Sequence, residues 1–297
     1  MFGLTASVGR KGRNLTADVE AVQRALLDLS RLTGDAALHP GGRTDEEAVD
    51  GDAGAGTEGA VAWFQRAYLH ARRPDARVDP DGLTRASLVK HLRIYRAARA
   101  SGGDAGLISF PLAQAATAPY HGPGGGQRRF RWRRSNGRRS HAGADLYTPV
   151  GTPVYSVAPG RVVRVADYYG ETDHVVVEHA VRDPWGVLTF TCVYGELTPS
   201  PGLRAGARVA RGERLGEVAQ LYLQKRVRGR RVRYAFRYVM LHFELYTGLA
   251  KPLRGGSVKD TSWRGAVDRV NGRRFVRRAD LADPTPLLRP ARYPRPR

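Results

Sequence analysis

The chain has 297 residues, enough for two domains of ordinary size, and 41% of them are hydrophobic, enough for globular cores. No stretch approaches the ~18 to 20 consecutive apolar residues of a membrane span, and a single cysteine, Cys192, excludes an internal disulfide framework and a Cys-x-x-Cys metal site. The formal net charge of +21 should draw polyanions to the surface. Arginine runs such as 128–134 and 226–233 invite a nucleic-acid reading, but no segment matches a nucleic-acid-binding motif. They read as solvated loops or strand edges, and no specific nucleic-acid partner is expected.

From Leu15 to Leu32 the apolar residues Val19, Val22, Leu26 and Leu29 make one helical stripe. Thr16 is the expected N-cap, and Asp18 and Glu20 suit the positive end of the helix. A polar, glycine-rich stretch follows, then a second helix from Thr57 to Leu69 burying Val61, Phe64 and Tyr68 or Leu69, and a third with Thr84 as cap. Val22-Gln23-Arg24-Ala25-Leu26, Asp50-Gly51, Gly56-Thr57, Ala60-Val61, Phe64-Gln65 and Asp81-Gly82-Leu83-Thr84 together resemble the small three-helix peptidoglycan-binding domain. That resemblance covers about residues 14–95 and implies wall contacts from Asp50, Gly51, Thr57, Phe64 and Gln65.

Residues 96–128 read as a linker, with Gly122-Pro-Gly-Gly-Gly126 unable to sustain a helix or strand. Its His121 reads as an ordinary loop histidine. After Asp145 come short β segments divided by turns: 153–157, 161–167, 175–179, 187–194, 214–219 and 234–246. Many short strands without intervening helices imply an antiparallel sheet or sandwich. His174 and His179, five apart, should face opposite ways. Residues 251–278 look like an insertion, and 290–297 like a frayed basic tail. The expected fold class is α+β: a small N-terminal three-helix domain over 1–95, and a mainly antiparallel β domain over 129–289.

The chemistry concentrates in two places. His141 and Asp145 lie four apart around Gly143, and imidazole and carboxylate are both ligands that zinc accepts. Near the other end, Met240, His242, Glu244 and Tyr246 would share one face of a strand while Leu241, Phe243 and Leu245 share the apolar one. His242 could close a His/Asp/His site.

His141-Ala-Gly-Ala-Asp145, Gly151-Thr-Pro-Val154, Gly160-Arg-Val-Val163, Tyr194-Gly-Glu-Leu197, Gly206-Ala-Arg-Val209 with Gly212 and Gly216, and Met240-Leu-His-Phe-Glu244 occur in that order. Over roughly residues 110–250 the chain resembles the lysostaphin-like zinc endopeptidases, which cut peptide cross-links in bacterial cell walls. The resemblance implies Zn2+ held by His141, Asp145 and His242. Two departures stand out. The family's histidine in Tyr-x-His-Leu is Glu196 here, and the first histidine of its His-x-His is Met240. Glutamate can serve as a general base, so Glu196 is the candidate base, with Tyr194 or Tyr246 as the missing donor.

The expected function is a zinc-dependent peptidoglycan endopeptidase; the alternative is a catalytically inactive peptidoglycan-binding or hydrolase-activating protein. Met1 to Arg10 lacks a signal-peptide layout. That implies synthesis in the cytoplasm and action in the periplasm or cell wall after non-classical export or lysis. A type VI secretion effector or phage-like lysin fits that route, and an effector implies an immunity protein or a secretion apparatus as partner.

Overall fold

Val19, Val22, Leu26 and Leu29 are all buried on α1 (Thr16–Thr33), which ends at Gly34 in the left-handed conformation (φ 75°). The structure, a computed structural model, describes residues 2–294 apart from 43, 72, 101–106, 135–138, 169–171, 228 and 249–279. The insertion expected over 251–278 lies outside the described residues.

Thr16 is the first helical residue rather than the cap; Leu15 takes that place, without a side-chain bond. The carboxylate of Asp18 instead accepts the N–H groups of Thr5 and Ala6 at 3.0 and 2.7 Å, tying the N-terminal segment to the helix. That segment forms β1 (Val8–Gly9), paired antiparallel with β2 (Arg77–Val78) between α2 (Ala55–Tyr68) and α3 (Leu83–Ala100).

Two glutamines pin the loops of this helical part. Gln23 Nε2 donates toward Asp50 Oδ1, Asp52 O and Thr57 Oγ1 at 2.7–2.9 Å, and its Oε1 accepts from Gly51 N–H at 3.0 Å. Gln65 repeats the device one helix later: Nε2 donates toward Asp75 Oδ1, Arg77 O and Thr84 Oγ1, and Oε1 accepts from Ala76 N–H at 2.9 Å. Thr84 is therefore a partner of Gln65, not a cap. The residues expected to contact the wall take part in this packing. Phe64 is fully buried, Thr57 and Gln65 are buried with their polar groups engaged, and Asp50 and Gly51 hold Gln23. The recurring Gln and Thr signature builds the unit. Gln65→Ala should lower stability by about 1–3 kcal/mol, because Ala76 N–H and its neighbours lose a buried partner. Chemical denaturation measures this; an unchanged midpoint would refute the pinning role.

The rest of the chain is mainly antiparallel strand, so the fold is α+β. In order come β3 (Arg133–Arg134), β4 (Arg139–Ser140), β5 (Ala144–Tyr147), β6 (Pro153–Tyr155), β7 (Gly160–Tyr168), β8 (Thr172–Asp183) and β9 (Gly186–Pro199). Then follow β10 (Arg208–Val209), β11 (Arg214–Val218), β12 (Tyr222–Val227), β13 (Arg230–Ala235), β14 (Met240–Tyr246), β15 (Leu281–Ala282) and the short α4 (Thr285–Leu288). The large sheet runs β10-β7-β8-β9-β11-β6, with β14 pairing β9, β5 and β15. β9 is the pivot. Its residues 191–195 pair with β14 and its residues 197–199 with β11. The single strand expected over 234–246 is two, because β13 stops at Ala235 as one arm of a separate hairpin with β12.

Helices and sheet share one core: Leu88, Leu92 and Ile94 of α3 belong to the same buried cluster as Val177, Leu188 and Leu287. Arg93 forks onto Asp183 with two bonds of 2.7 Å, and Tyr95 Oη donates to Asp283 O. The stretch read as a linker also belongs to this core, with Ile108, Phe110 and Leu112 buried. Nor does the basic tail fray at once: Phe110 N–H donates to Arg292 O at 2.7 Å. Among the described residues, no helix is long and apolar enough to cross a membrane.

Candidate metal centre

Directly opposed residues on neighbouring strands share a face. His242 on β14 opposes Asp145 on β5 and Gly195 on β9, so those three share one face. Leu241, Phe243, Ala144 and Leu146 take the other face and are fully buried in the core. The turn before β5 brings His141 alongside. Gly143 makes this approach feasible: a Cβ there would stand 2.1 Å from the carbonyl oxygen of Phe243. Any side chain at 143 would push β5, and with it Asp145, off β14.

The three candidate ligands meet. Asp145 Oδ1 lies 2.9 Å from His141 Nε2 and 2.7 Å from His242 Nδ1, and the two nitrogens are 3.2 Å apart. Ligand atoms around a tetrahedral zinc are ~3.3 Å apart, so the separations suit one ion, and two imidazoles with a carboxylate are a zinc-type donor set. All three residues are buried, and among the described residues they form a group able to hold a metal.

Each imidazole is held by its other nitrogen, which fixes the lone pair that faces the centre. His141 Nδ1–H donates to Arg129 O at 2.9 Å. His242 is turned the other way, Nε2–H donating to Glu244 Oε1 at 2.9 Å, and Tyr246 Oη donates to Glu244 Oε2 at 2.6 Å. Burial alone would push the Asp145 carboxyl up, but the adjoining His141 and His242 hold it well below the usual carboxylate range. Burial likewise opposes charge on His242, yet its bonds to Asp145 and Glu244 raise it well above an ordinary imidazole. Glu244→Gln should lower affinity for a divalent metal roughly 10- to 100-fold, the usual worth of such an outer partner. Titration against a competing metal indicator reads this directly, and an unchanged affinity would show that Glu244 does not set the His242 ring.

Of the candidate donors, Tyr246 reaches the site only through Glu244. Tyr194 does not reach it. It opposes Phe243 on the core face, where its hydroxyl accepts from Val157 N–H and bonds His179 Nε2 at 3.1 Å. His179 is thus a neutral core histidine, its pKa lowered to about 4 by burial. His174 does face the other way, opposing Gly195 from β8.

Glu196 reaches its place through an irregularity. Between β8 and β9 the pairing passes from His174↔Gly195 to Asp173↔Leu197, so Glu196 is an extra residue, a β-bulge, with φ 63°. Tyr194 and Leu197 both lie in the core cluster. With one residue too many between them, Gly195 and Glu196 fall on the His242 face. A left-handed glutamate is uncommon, and such strain collects at functional sites. A regular strand would have put Glu196 beside Tyr194, away from the ligands.

Two further residues line this face. Tyr168, at the end of β7, stacks on His242 with ring centroids 6.1 Å apart and meets His174 edge-on at 5.6 Å. Gly195, with no side chain, leaves the space: a Cβ there would press on the Tyr168 ring at 3.1 Å. Spacing gave His174 its face; nothing local in the sequence marked Tyr168. Met240 is buried and opposes Tyr147 at the end of β5. His121 packs on Tyr120 and is not among the residues grouped here.

Residues 139–252 match the family model described as peptidase family M23. No curated protein matches the chain. Among solved structures, a zinc containing peptidase from Vibrio cholerae is 27% identical with a TM-score of 0.25. That match covers 36% of this chain and 26% of that one, so the chain spans about a quarter of its length. Lysostaphin is 18% identical with a TM-score of 0.27, over 38% of each chain. A Ruminococcus gnavus protein described as a glycyl-glycine endopeptidase lytM is 15% identical with a TM-score of 0.33, over 94% of this chain and 89% of that one. The match begins two residues before His141 and ends past Tyr246, spanning all three candidate ligands and both departures, and residues 139–252 are accordingly a domain of peptidase family M23.

Proposed function

We propose that the protein is a zinc-dependent endopeptidase acting on the peptide cross-links of peptidoglycan. The observation that carries this is the buried His141, Asp145 and His242 group with a strained carboxylate, Glu196, turned onto the same face of the sheet. When bound there, a zinc ion supplies a Lewis acid for the scissile carbonyl and lowers the pKa of a water to about 7. Asp145 and the two imidazoles hold the ion, and Arg129 O and Glu244 fix their tautomers. Glu196 takes the proton of the attacking water and passes it to the leaving amine. Tyr168 covers one side of His242 and limits water there. Residues 1–95 are the wall-binding unit in this reading, attached through α3.

Incubating purified sacculi with the full chain, with and without chelator, tests the proposal. Soluble muropeptides cut in their peptide bridges should appear, vanish with chelator and return with added zinc. Met240, which can neither donate nor accept a proton usefully, favours a second reading: a binding or hydrolase-activating protein with an inactive centre. Sacculus binding by zinc-loaded protein without any released product would select that reading.

A further inference from the structure

His141 owes its place to a short segment of main chain. Arg129 O accepts from its ring, Arg131 N–H donates to its carbonyl at 3.0 Å, and its own N–H donates to Trp132 O at 2.8 Å. His242 owes its place to β14. There Glu244 takes its ring N–H, Tyr246 holds Glu244, and Tyr246 opposes Leu281 of β15. The two supports converge on one residue of the helical part. His70, just past α2, meets Arg131 Nη2 through Nδ1 at 2.7 Å and Leu281 O through Nε2 at 2.9 Å. A guanidinium can only donate, so Nδ1 accepts and Nε2–H donates to Leu281, and both ring nitrogens are used.

The backbone is strained on both sides of this contact. His70 has φ 55° and Arg131 φ 61°, the left-handed region that residues other than glycine seldom enter. Such strain persists where the surroundings fix it, and it collects at functional positions. Between the two supports lies a small apolar cluster separate from the main core: Ala142, Val176, Val193, Tyr246 and Leu281, with Phe130 packed against it. The Arg131 guanidinium lies over the Phe130 ring at 5.4 Å. His70 thus bridges Arg131 at one edge of this cluster to Leu281 within it. β15 pairs with β14 through two residues only, so the bond from His70 is a sizeable part of what holds that strand against Tyr246.

We propose that His70 is a positioning residue for the metal centre: through this one imidazole the helical part sets His141 and His242 relative to each other. It belongs to neither motif that carries the ligands, and it touches no ligand itself. The tie of Arg93 to Asp183 joins the same two parts of the chain but has no such line to the centre. Asp183 stands nine residues along β8 from His174, ~30 Å of strand. The inference rests on the proposed centre holding a metal, and not on whether that centre cleaves anything.

Competition for zinc against a chelating dye, with the full chain, tests it in three variants. His70→Leu removes both bonds and should weaken zinc binding roughly 2- to 30-fold, the range for substitutions that act on a site without touching its ligand. His70→Gln offers an acceptor and a donor as the imidazole does, and should bind zinc as wild type does. Arg93→Ala cuts the other tie; it should lower the melting temperature and leave zinc affinity unchanged. Coupling is reciprocal, so zinc should also slow hydrogen exchange over residues 66–71 in wild type and not in the Leu variant. If His70→Leu binds zinc as tightly as wild type, if Gln fails to restore what Leu loses, or if Arg93→Ala loses as much, the link is overturned and the centre stands. A zinc-independent exchange rate over 66–71 in wild type overturns it equally. A wild type that takes up no zinc overturns the centre itself, and the link with it.

Discussion

His242→Ala is expected to abolish metal binding and cleavage together and to remove the protein's thermal response to zinc. Zinc at a thousand times its dissociation constant adds about 4 kcal/mol to the stability of a protein that binds it only when folded. For a chain of this size that is on the order of 10 °C in melting temperature. Differential scanning fluorimetry with and without zinc should show that rise for wild type and none for the variant. The loss of cleavage should exceed the roughly 100-fold that removing an outer partner such as Glu244 can cause. An equal zinc response in the variant would mean that His242 is not a ligand, and the proposed centre would fail with it.

The second large effect concerns Glu196, and two substitutions separate its strain from its chemistry. Glu196→Gln keeps size and backbone while removing the charge, so zinc content and fold should stay near wild type. Cleavage should fall ~100- to 10,000-fold, the usual worth of a positioned general base. Glu196→Gly should lose activity as severely, but with the opposite mark on stability. Glycine within an ordinary strand destabilises by roughly 0.5–1 kcal/mol. At φ 63° it instead relieves a conformation unfavourable to L-residues by ~1–2 kcal/mol, so the variant should be as stable as wild type or more so. Should the Gln variant cleave as fast as wild type, Glu196 is a bulge residue without a catalytic part.

The meeting of His141, Asp145 and His242 was legible because the three stand in ordered motifs, and on β14 alternation alone puts His242 opposite the apolar core. Glu196 shows the limit of the same rule. Two-residue periodicity pairs it with Tyr194, and Tyr194 points into the core; only the extra residue in β9 turns the carboxylate round. Bulges depend on the register of the neighbouring strand, which no local pattern encodes. Thr57, Phe64 and Gln65, expected at the wall, are buried in the helical part. A Gln and a Thr separated by a loop are recognisable in sequence whether they hold a ligand or the loop itself, and here they hold the loop.

The fork of Arg93 on Asp183, and the core that α3 shares with the strands, bear on how such a chain can be re-engineered. A module joined by a slack tether can be exchanged for another without regard to its surface. This one cannot. A transplanted peptidase part would leave an apolar flank open where Leu88, Leu92 and Ile94 had been, and a carboxylate at 183 with no guanidinium opposite. Any chimera must therefore carry α3 across as part of the strand-built half. Its helical half would then have to be rebuilt around that inherited helix rather than appended to it.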